Sequence, residues 1–529
     1  MSEFIAKEYL PDQLAYKTSE NKNKIDKELN EEYRQAFFGE DFEYLGGKKD
    51  FRDAQLEKIK LGNGNIELDY SKLENIQILD SYENKLVALR QKVRVQEESV
   101  KNKGDVRIRF IDSKETKYIE NKMLENDRNI DQETVLKNIY RWKINEDLAQ
   151  IRMLKCASEA RKLKLQLNNV EKPEEKAKIE QEINTNDRNF DRYSSFIYGE
   201  PQKELFDYFR INIIDKCDKV QVQDEYPEEI KNIAYDLKKD LSKDIDKIDH
   251  KNIFTKLPNV NLSDVNSGET INFQPEQFKE LVESALNEVG ADDDWSVVID
   301  KNKTVMSVSQ KEKNIYVPGT DRKININRIK SLIRHEIGTH VQRRLNGERS
   351  NLLLLATGVD RYNPGEEAAA TYNEQKTEGF REFAGADRYL SIGLVKGMDA
   401  AKDKKDKTHE DYRNFLELYN ILNKYYAITQ YEKVKDVQQA KNKAQVDAFN
   451  RCVRTFRGIN NLQNKNGYCF SRDMIYANNI NLWRLINKNG DQEENIYLGK
   501  FDPTNNRHEF VLSVLGITDD ELEKLKNNQ

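Results

Sequence analysis

From about Asp131 to Leu167, apolar residues recur at steps of two to four, which predicts an amphipathic helix. The charged stretch from Glu171 to Glu182 continues this pattern as a solvated helix or a helical hairpin around Pro173. Two further helices are predicted: one to about Ile214, after a turn at residues 196–201, and one over residues 274–289, closed by Gly290.

The period then changes from helical to alternating, which is typical of strands. Three short strands joined by tight turns are predicted, at residues 295–300, 304–309 and 314–318. An earlier alternating segment, residues 106–111, predicts a short strand within a charged and weakly patterned N-terminal region. The three-strand region is the one convincing sheet, and it lies directly before the residues that carry the chemistry.

Composition favours a mostly helical protein of two to four structural units. The 529 residues include only 9 Pro and 23 Gly, and 25 Tyr and 21 Phe supply enough apolar surface for folded cores. The net charge of −6, from 87 basic and 93 acidic residues, argues against a dedicated nucleic-acid binder, which needs a basic face.

The chain lacks the apolar segments that target proteins to membranes or export. No run of eighteen apolar residues occurs, and residues 1–24 hold no uninterrupted apolar stretch, so we expect a cytoplasmic protein without membrane contact. The four cysteines form no Cys-x-x-Cys pair and are expected to be buried free thiols, although a disulfide between Cys452 and Cys469 is open.

The sequence Arg334-His-Glu-Ile-Gly-Thr-His340 lies on a predicted helix that Asn325 or Asn327 caps and that Asn346-Gly347 ends. In the familiar zinc-peptidase pattern the two histidines are four residues apart, whereas His335 and His340 are five apart. In a regular helix a step of five rotates by about 140°, which points the imidazoles apart.

Two interpretations of the motif follow. Both histidines reach one metal ion if the helix is locally widened or ends near His340, and Gly338 is suited to that distortion. Otherwise they are two separate histidines on the surface of an amphipathic helix.

A third metal ligand is expected from a following helix, opened by Pro364 and Gly365, with Glu366 and Glu367 in its first turn. The alanines that follow would let this helix pack close to the histidine helix. Acidic residues in a first turn can also simply complement the helix dipole, and the pattern alone does not separate these interpretations.

Taken together, these segments resemble a known peptidase family. His-Glu-Ile-Gly-Thr-His at 335–340, Arg344-Leu-Asn-Gly347 and Glu366-Glu367-x-x-Ala370-x-Tyr372-Asn373-Glu374 are similar to the microtubule-associated tyrosine carboxypeptidases and their bacterial relatives. That family has the same five-residue histidine spacing and a Gln-Glu-Gly-Leu-Ala motif. Segments at 196–201, 457–458 and 470–476 agree, so the resemblance covers residues 135–485.

The resemblance implies a zinc carboxypeptidase with Zn²⁺ held by His335, His340 and Glu367. It implies Glu336 as the general base, and it makes Tyr476 and Arg472 catalytic candidates and Arg457 a candidate for binding the substrate carboxylate. The glutamate of the family motif falls on Glu367, which is therefore preferred to Glu366. Ala368-Ala369 replaces the Gly-Leu of that motif, and leucines crowd the loop at 352–355; both departures bear on the substrate.

The expected fold is α+β and mainly helical, a zincin-like metallopeptidase domain with a small sheet beside the active-site helix. Residues 1–130 form an accessory region, 131–485 the peptidase domain (a helical part, 131–290, then sheet and catalytic helices, 291–485) and 486–529 a C-terminal extension. The expected partner is a peptide or protein C-terminus, which the strand at 314–317 would hold by edge pairing. The alternatives are a catalytically silent peptide-binding protein, a structural zinc site and an endopeptidase.

Overall fold

The computed structural model describes residues 24–36, 48–68, 76–93, 121–125, 130–245, 248–255, 257–258, 270–301, 303, 305–310, 312–379, 382–400, 405–489 and 493–518. In these ranges the chain is mainly helical with a small amount of sheet, which confirms the predicted class at that level. The alternating segment at 106–111 lies outside the described residues.

The N-terminal region contributes three helices, α1 (Lys24–Ala36), α2 (Lys49–Lys60) and α3 (Ile76–Lys92). They are followed by the long helix α4 (Gln132–Leu167), whose first turn Asp131 caps by accepting a hydrogen bond from the Thr134 N–H (2.9 Å). The hydroxyl of Tyr33 on α1 donates to Asp147 on α4 (2.6 Å), so the N-terminal region packs directly onto the predicted catalytic domain.

Helix α5 (Pro173–Tyr198) begins at the proline and forms a hairpin with α4, as one of the two sequence interpretations predicted. The predicted turn at 196–201 is therefore partly wrong, because the helix continues through Tyr198 and the turn begins at Gly199. Three further helices complete this part: α6 (Lys203–Val222), α7 (Glu228–Leu241) and α8 (His250–Thr255).

The strands form two small sheets around helix α9. The elements are β1 (Thr270–Phe273), α9 (Pro275–Glu288), β2 (Ser296–Asp300), β3 (Ser307–Ser309), β4 (Asn314–Pro318) and β5 (Arg322–Asn325). The predicted strand at 314–318 is confirmed, that at 295–300 begins one residue later, and that at 304–309 is only half as long, at Ser307–Ser309. Strands β1 and β5, an antiparallel pair, were missed. Gly290, at φ +66°, closes α9 as predicted.

The order of the three-stranded sheet contradicts one expectation. Strand β4 lies in the centre, parallel to β2 and antiparallel to β3. Both edges of β4 are thus already hydrogen-bonded, and the prediction that residues 314–317 hold a peptide by edge pairing is wrong. Strands β2 and β3 are consecutive in sequence but do not pair with each other. The alternation of apolar and polar residues predicts strands but not which of them pair.

The predicted motif helix is one continuous rod of three segments. Helix α10 (Ile326–His335) passes into a π-helical turn (Glu336–Val341) and then into α11 (Gln342–Arg349). Asn325 is the N-cap, one of the two predicted candidates, and its side chain accepts from the Asn327 N–H (2.8 Å).

The predicted end of this rod at Asn346-Gly347 is wrong, because α11 continues to Arg349. A β-carbon at position 347 would lie 2.3 Å from the Ala356 nitrogen. Gly347 therefore allows the backbone of α12 to approach α11 closely. Asn346 is fully buried and donates to the Tyr497 carbonyl (2.7 Å). Both residue types are common in turns, and here each has a packing role instead.

The remaining helices are α12 (Leu354–Thr357), α13 (Asn363–Glu378), α14 (Ala386–Val395), α15 (Phe415–Val434), α16 (Val437–Phe456), α17 (Asn479–Asn489) and α18 (Asn506–Val514). Single 3-10 segments lie at His409–Asp411, Ser471–Asn478 and Glu494–Tyr497. The leucines at 352, 354 and 355 are fully buried in the protein core.

Buried apolar side chains form two large clusters. The first, here called the sheet core, combines α9, the strands and one side of the histidine rod; the second, the helical core, draws on helices from α1 to α18. Leu86 in the N-terminal region and Val511 near the C-terminus both belong to the helical core. The segments predicted as an accessory region and an extension thus share a core with the helices between them.

All four cysteines are free, including Cys452 and Cys469, which the sequence left open as a disulfide. Cys217 is buried like these two, and Cys156 is half-buried. Among the helices of the described ranges, none combines the length and the apolar character needed to cross a membrane.

Candidate metal centre

The π turn follows from the spacing of apolar residues along the histidine rod. Five positions, each four residues after the last, are all buried in the sheet core: Ile329, Ile333, Ile337, Val341 and Leu345. In a regular α-helix such a stripe drifts by about 40° at each step. One extra residue in a π turn removes about 100° of the accumulated drift and keeps the stripe on the core.

The same turn brings the two histidines to one side of the rod. The predicted local widening of the helix is confirmed, and Gly338 lies within it, buried. The ring centroids of His335 and His340 are 5.0 Å apart with an angle of 74° between the planes. The two imidazoles therefore do not point apart as they would in a regular helix.

His335, Glu336 and His340 each offer one ligand atom, and these atoms lie within 4.8 Å of one another. In the part of the chain that the structure describes, this is the one group of three such residues that close together. Two imidazoles and a carboxylate make a donor set that suits Zn²⁺.

Helix α13 lies against both α10 and the π turn and supplies three carboxylates. The first, Glu366, is 3% exposed, and its Oε1 is 2.9 Å from Nδ1 of His340. Two cations complete its surroundings: Arg343 donates to Oε2 (2.6 Å), and the Lys500 ammonium lies 3.1 Å from Oε1. Burial acts to raise the pKa of Glu366, but Lys500, Arg343 and His340 together hold it well below its usual range.

Glu374, two turns further along α13, stands in a similar relation to His335. Its Oε1 is 3.1 Å from Nδ1 of His335 and 3.4 Å from the Arg328 guanidinium. Burial opposes ionisation, yet the contacts with His335 and Arg328 lower the pKa of Glu374. Each histidine therefore presents Nδ1 to a carboxylate of α13, which leaves Nε2 as its second ring nitrogen.

Glu367 lies on the side of α13 near the motif, outside the group of three close ligand atoms. Its charge acts on His335, on Glu336 and on Tyr476, where it is the largest cause of a raised pKa. The glutamate preferred from the sequence thus faces the same space as the first histidine and the candidate base. Ala368 and Ala369, next to it, are fully buried, as close helix packing requires.

The charges around the motif favour a cation. Burial alone would lower the pKa of His335, but the close contact with Glu374 and the charges of Glu336, Glu374 and Glu367 raise it to about 9. The pKa of Glu336 is also raised. Burial is the largest cause, and the charges of Glu367 and Glu374 add to it, although the two histidines act to lower it. A site crowded with carboxylates stabilises a positive charge between them, whether a proton or a metal ion.

Tyr476 and Arg472 both lie in the 3-10 segment after α16, close to this space. The guanidinium of Arg388 stacks on the Tyr476 ring, with its carbon 3.6 Å from the centroid. Burial lowers the pKa of Arg472, but Tyr198 and Tyr476 more than offset this. Arg457 is 7% exposed at the end of α16. The structure therefore associates Arg472 and Arg388 with Tyr476.

Several residues of the site were not predicted from the sequence. Glu374 stands within the quoted motif, but nothing in the pattern distinguishes its role from that of a surface carboxylate. Arg343 follows from its helical position, three residues after His340, once the π turn is known. Lys500 and Arg388 carry no sequence signal, because only the tertiary fold brings them to α13 and the 3-10 segment.

No protein-family model, curated protein or solved structure matches this chain. The resemblance to the tyrosine carboxypeptidases accordingly stays a prediction from the motif residues.

Proposed function

We propose that this protein is a zinc-dependent metallopeptidase of zincin-like fold, and that it acts as a carboxypeptidase on a peptide or protein C-terminus. The observation that carries the proposal is the π turn, which gathers the ligand atoms of His335, Glu336 and His340 within 4.8 Å of one another. A histidine helix beside a small sheet, with a carboxylate-rich helix across it, supports the same assignment.

The metal ligands in this proposal are His335 and His340 of the close group and, from the family resemblance, Glu367, whereas Glu336 of that group would act as the base. The Nδ1 atoms of both histidines contact carboxylates, so Nε2 is the nitrogen that would bind Zn²⁺. Glu367 is favoured over Glu366 because both oxygens of Glu366 already contact cations or His340. Three protein ligands leave one position open, which is typical of catalytic rather than structural zinc.

A Zn²⁺ ion at this position would lower the pKa of a water molecule and polarise the scissile carbonyl. Glu336, directly after the first ligand, would accept a proton from the attacking water and transfer it to the leaving amine.

Tyr476 and the two arginines near it supply the remaining functions. A tyrosine hydroxyl is protonated near neutral pH, and that of Tyr476 would donate to the developing oxyanion. Arg472 and Arg388 would bind the terminal carboxylate of the substrate. Arg457, the candidate that the resemblance implies for the substrate carboxylate, lies largely buried at the end of α16 and stays a prediction beside these two.

The substrate backbone would pair with β3 instead of β4. Strand β3 is an edge of the three-stranded sheet and contacts the π turn. An extended peptide added at this edge would run past the motif.

The test begins with the zinc content of the purified chain, which is expected to be about one ion per molecule. His335→Ala should lose the zinc, and His409→Ala, a change at an exposed histidine, should retain it. A parent protein that binds no zinc when purified without chelators contradicts the proposal.

Activity is then measured on peptides with free or amidated C-termini. A carboxypeptidase cleaves only the free form, an endopeptidase cleaves both, and Glu336→Gln should retain zinc while hydrolysing about 10²–10⁴ times more slowly. Zinc without cleavage of any peptide in a library would favour the catalytically silent peptide-binding protein.

A further inference from the structure

Resting on the zinc site proposed above, we propose that Glu366 and Glu374 are positioning residues that fix the rings of His340 and His335. We further infer that Lys500, from the C-terminal segment, is part of the metal site because it holds Glu366 in place. Neither carboxylate touches the reacting atoms, so both would act through the histidines.

The geometry of the two pairs supports the first part. Glu366 is hydrogen-bonded to Nδ1 of His340 (2.9 Å), and Glu374 forms an ion-pair contact with Nδ1 of His335 (3.1 Å) that lacks the angle of a hydrogen bond. A carboxylate at Nδ1 holds the proton on that nitrogen, makes Nε2 the metal-binding atom and fixes the plane of the ring. Since both carboxylates belong to α13, one helix sets the orientation of both histidines.

The two carboxylates are held to different degrees. Glu366 is almost completely buried and contacts two cations, Arg343 and Lys500, which occupy both of its oxygens. Glu374 has a side chain that is 24% exposed, and its cation, Arg328, is 46% exposed. Glu366 is therefore held more rigidly against His340 than Glu374 is against His335. Because Glu374 is partly exposed, it can be replaced conservatively without disturbing the core.

Lys500 is fixed by its own main chain as well as by its charge. Its N–H donates to the Leu355 carbonyl (2.8 Å), and its carbonyl accepts from the Val359 N–H (3.0 Å). The next residue, Phe501, accepts a hydrogen bond from Arg343 through its carbonyl (2.5 Å). The segment around residue 500 is thus bound to the connection between α11 and α13, and it carries the cation to Glu366.

This arrangement predicts that zinc affinity depends on residues that make no contact with the ion. Glu366→Gln keeps an oxygen that can accept a hydrogen bond from Nδ1 of His340. It also removes the negative charge that the buried cations Arg343 and Lys500 contact, which destabilises the fold by itself. The double variant Glu366→Gln/Lys500→Met avoids this problem, because the charge that remains on Arg343 equals the net charge of the original three groups. Loss of a carboxylate behind a metal-binding histidine typically weakens metal binding about 10–100-fold.

The experiment measures the dissociation constant for Zn²⁺ by competition with a chromophoric chelator, and the visible spectrum after loading with Co²⁺. The proteins are the full-length parent, the double variant, Glu374→Gln and a control, Lys396→Met. Lys396 forms a comparable buried pair with Asp191 (2.9 Å), so its loss removes an ion pair without touching the histidines.

The expected result is affinity about 10–100-fold lower and an altered Co²⁺ spectrum in the double variant and in Glu374→Gln, with neither change in Lys396→Met. Folding of each metal-free protein is checked by circular dichroism. If the double variant fails to fold, Lys500→Met alone, which leaves Glu366 paired with Arg343, tests the role of Lys500, and Glu374→Gln tests the support of His335.

Parent-like affinity and spectrum in the folded variants overturn the positioning role, even if the parent binds zinc. A parent that binds no zinc overturns the proposed function and, with it, this inference.

Discussion

The hydroxyl of Thr339 donates to the carbonyl of Arg334, five residues earlier, at 2.9 Å. The same oxygen accepts a hydrogen bond from the Asn373 side chain of α13 (2.8 Å), and Asn373 in turn accepts one from the Tyr497 hydroxyl (3.0 Å). Thr339 is fully buried. One hydroxyl therefore supports the π turn from within and connects it to the helix that carries the glutamates.

Replacing Thr339 by valine should loosen the π turn. Valine keeps the shape but leaves the Asn373 amide and the Arg334 carbonyl without this partner, a loss of about 1–3 kcal/mol. We expect a lower apparent Tm and weaker zinc binding. Thr455→Val is the matched control, because the buried Thr455 hydroxyl donates only to a carbonyl of its own helix, that of Arg451 (3.0 Å). Equal zinc affinity in the two variants would show that the hydroxyl does not support the site.

Deleting Gly338 tests whether the five-residue spacing is built into the fold. The deletion creates a His-Glu-x-x-His sequence, with the spacing that regular helices use in zinc peptidases. Everything after it, however, would rotate by about 100°, which moves Val341 and Leu345 off the sheet core and Arg343 away from Glu366. We expect loss of zinc and a lower apparent Tm. A stable deletion variant that binds zinc like the parent would contradict this account of the π turn.

Tyr476→Phe should lower kcat while leaving the zinc content unchanged. Removal of one oxyanion donor typically slows turnover about 10²–10³-fold. The measurement is kcat and KM on the best peptide, together with zinc per molecule. An unchanged kcat would assign Tyr476 to packing against Arg388, and a loss of zinc would assign it to the ligand environment.

Asp187 should make stability fall as the pH rises from about 4 to about 6. Its carboxyl is buried and accepts the N–H groups of Asn460 (3.0 Å) and Asn461 (2.9 Å), and burial raises its pKa to about 6. Between the unfolded and folded pKa values the native protein holds the proton that the unfolded chain releases. Stability therefore decreases with pH across this window, by roughly 1–3 kcal/mol, and then levels off.

The Asp187→Asn variant isolates this contribution. The amide oxygen replaces only one of the two carboxylate acceptors, so the variant should be less stable at both pH values. Because the amide does not titrate, the variant should still gain apparent Tm relative to the parent on going from pH 4 to pH 7. Comparing the two proteins at both values cancels the other titrating groups. A difference that stays constant, or that changes in the opposite sense, contradicts the raised pKa.

Local patterns predicted those parts of the fold that depend on neighbouring residues. The N-cap Asp131 and the helical spacing of the apolar residues after it predict α4, and Gly290 predicts the end of α9. Both signals act within a few residues of the chain. The five-residue spacing of His335 and His340 also indicated the widened helix, because in a regular helix it would point the two rings apart. In each case the physical cause lies within one or two turns of the chain.

Long-range pairing accounts for what the sequence did not reveal. The central place of β4 depends on strands that are separated along the chain, and β1 pairs with β5 across about fifty residues of sequence. Asn346 and Gly347 look like a helix stop because their contacts, with Tyr497 and Ala356, are absent from any local window. Lys500 was missed for the same reason.

The division of the buried residues into two cores gives the site a mechanical role. The histidines belong to the rod that packs on the sheet core, whereas Glu366, Glu367 and Glu374 extend from a helix of the helical core. An ion bound by side chains from both would link the sheet core to the helical core. Its binding free energy would add to the stability of their contact. If the proposed site binds Zn²⁺, substitutions that weaken ion binding would therefore also lower the stability of the whole molecule.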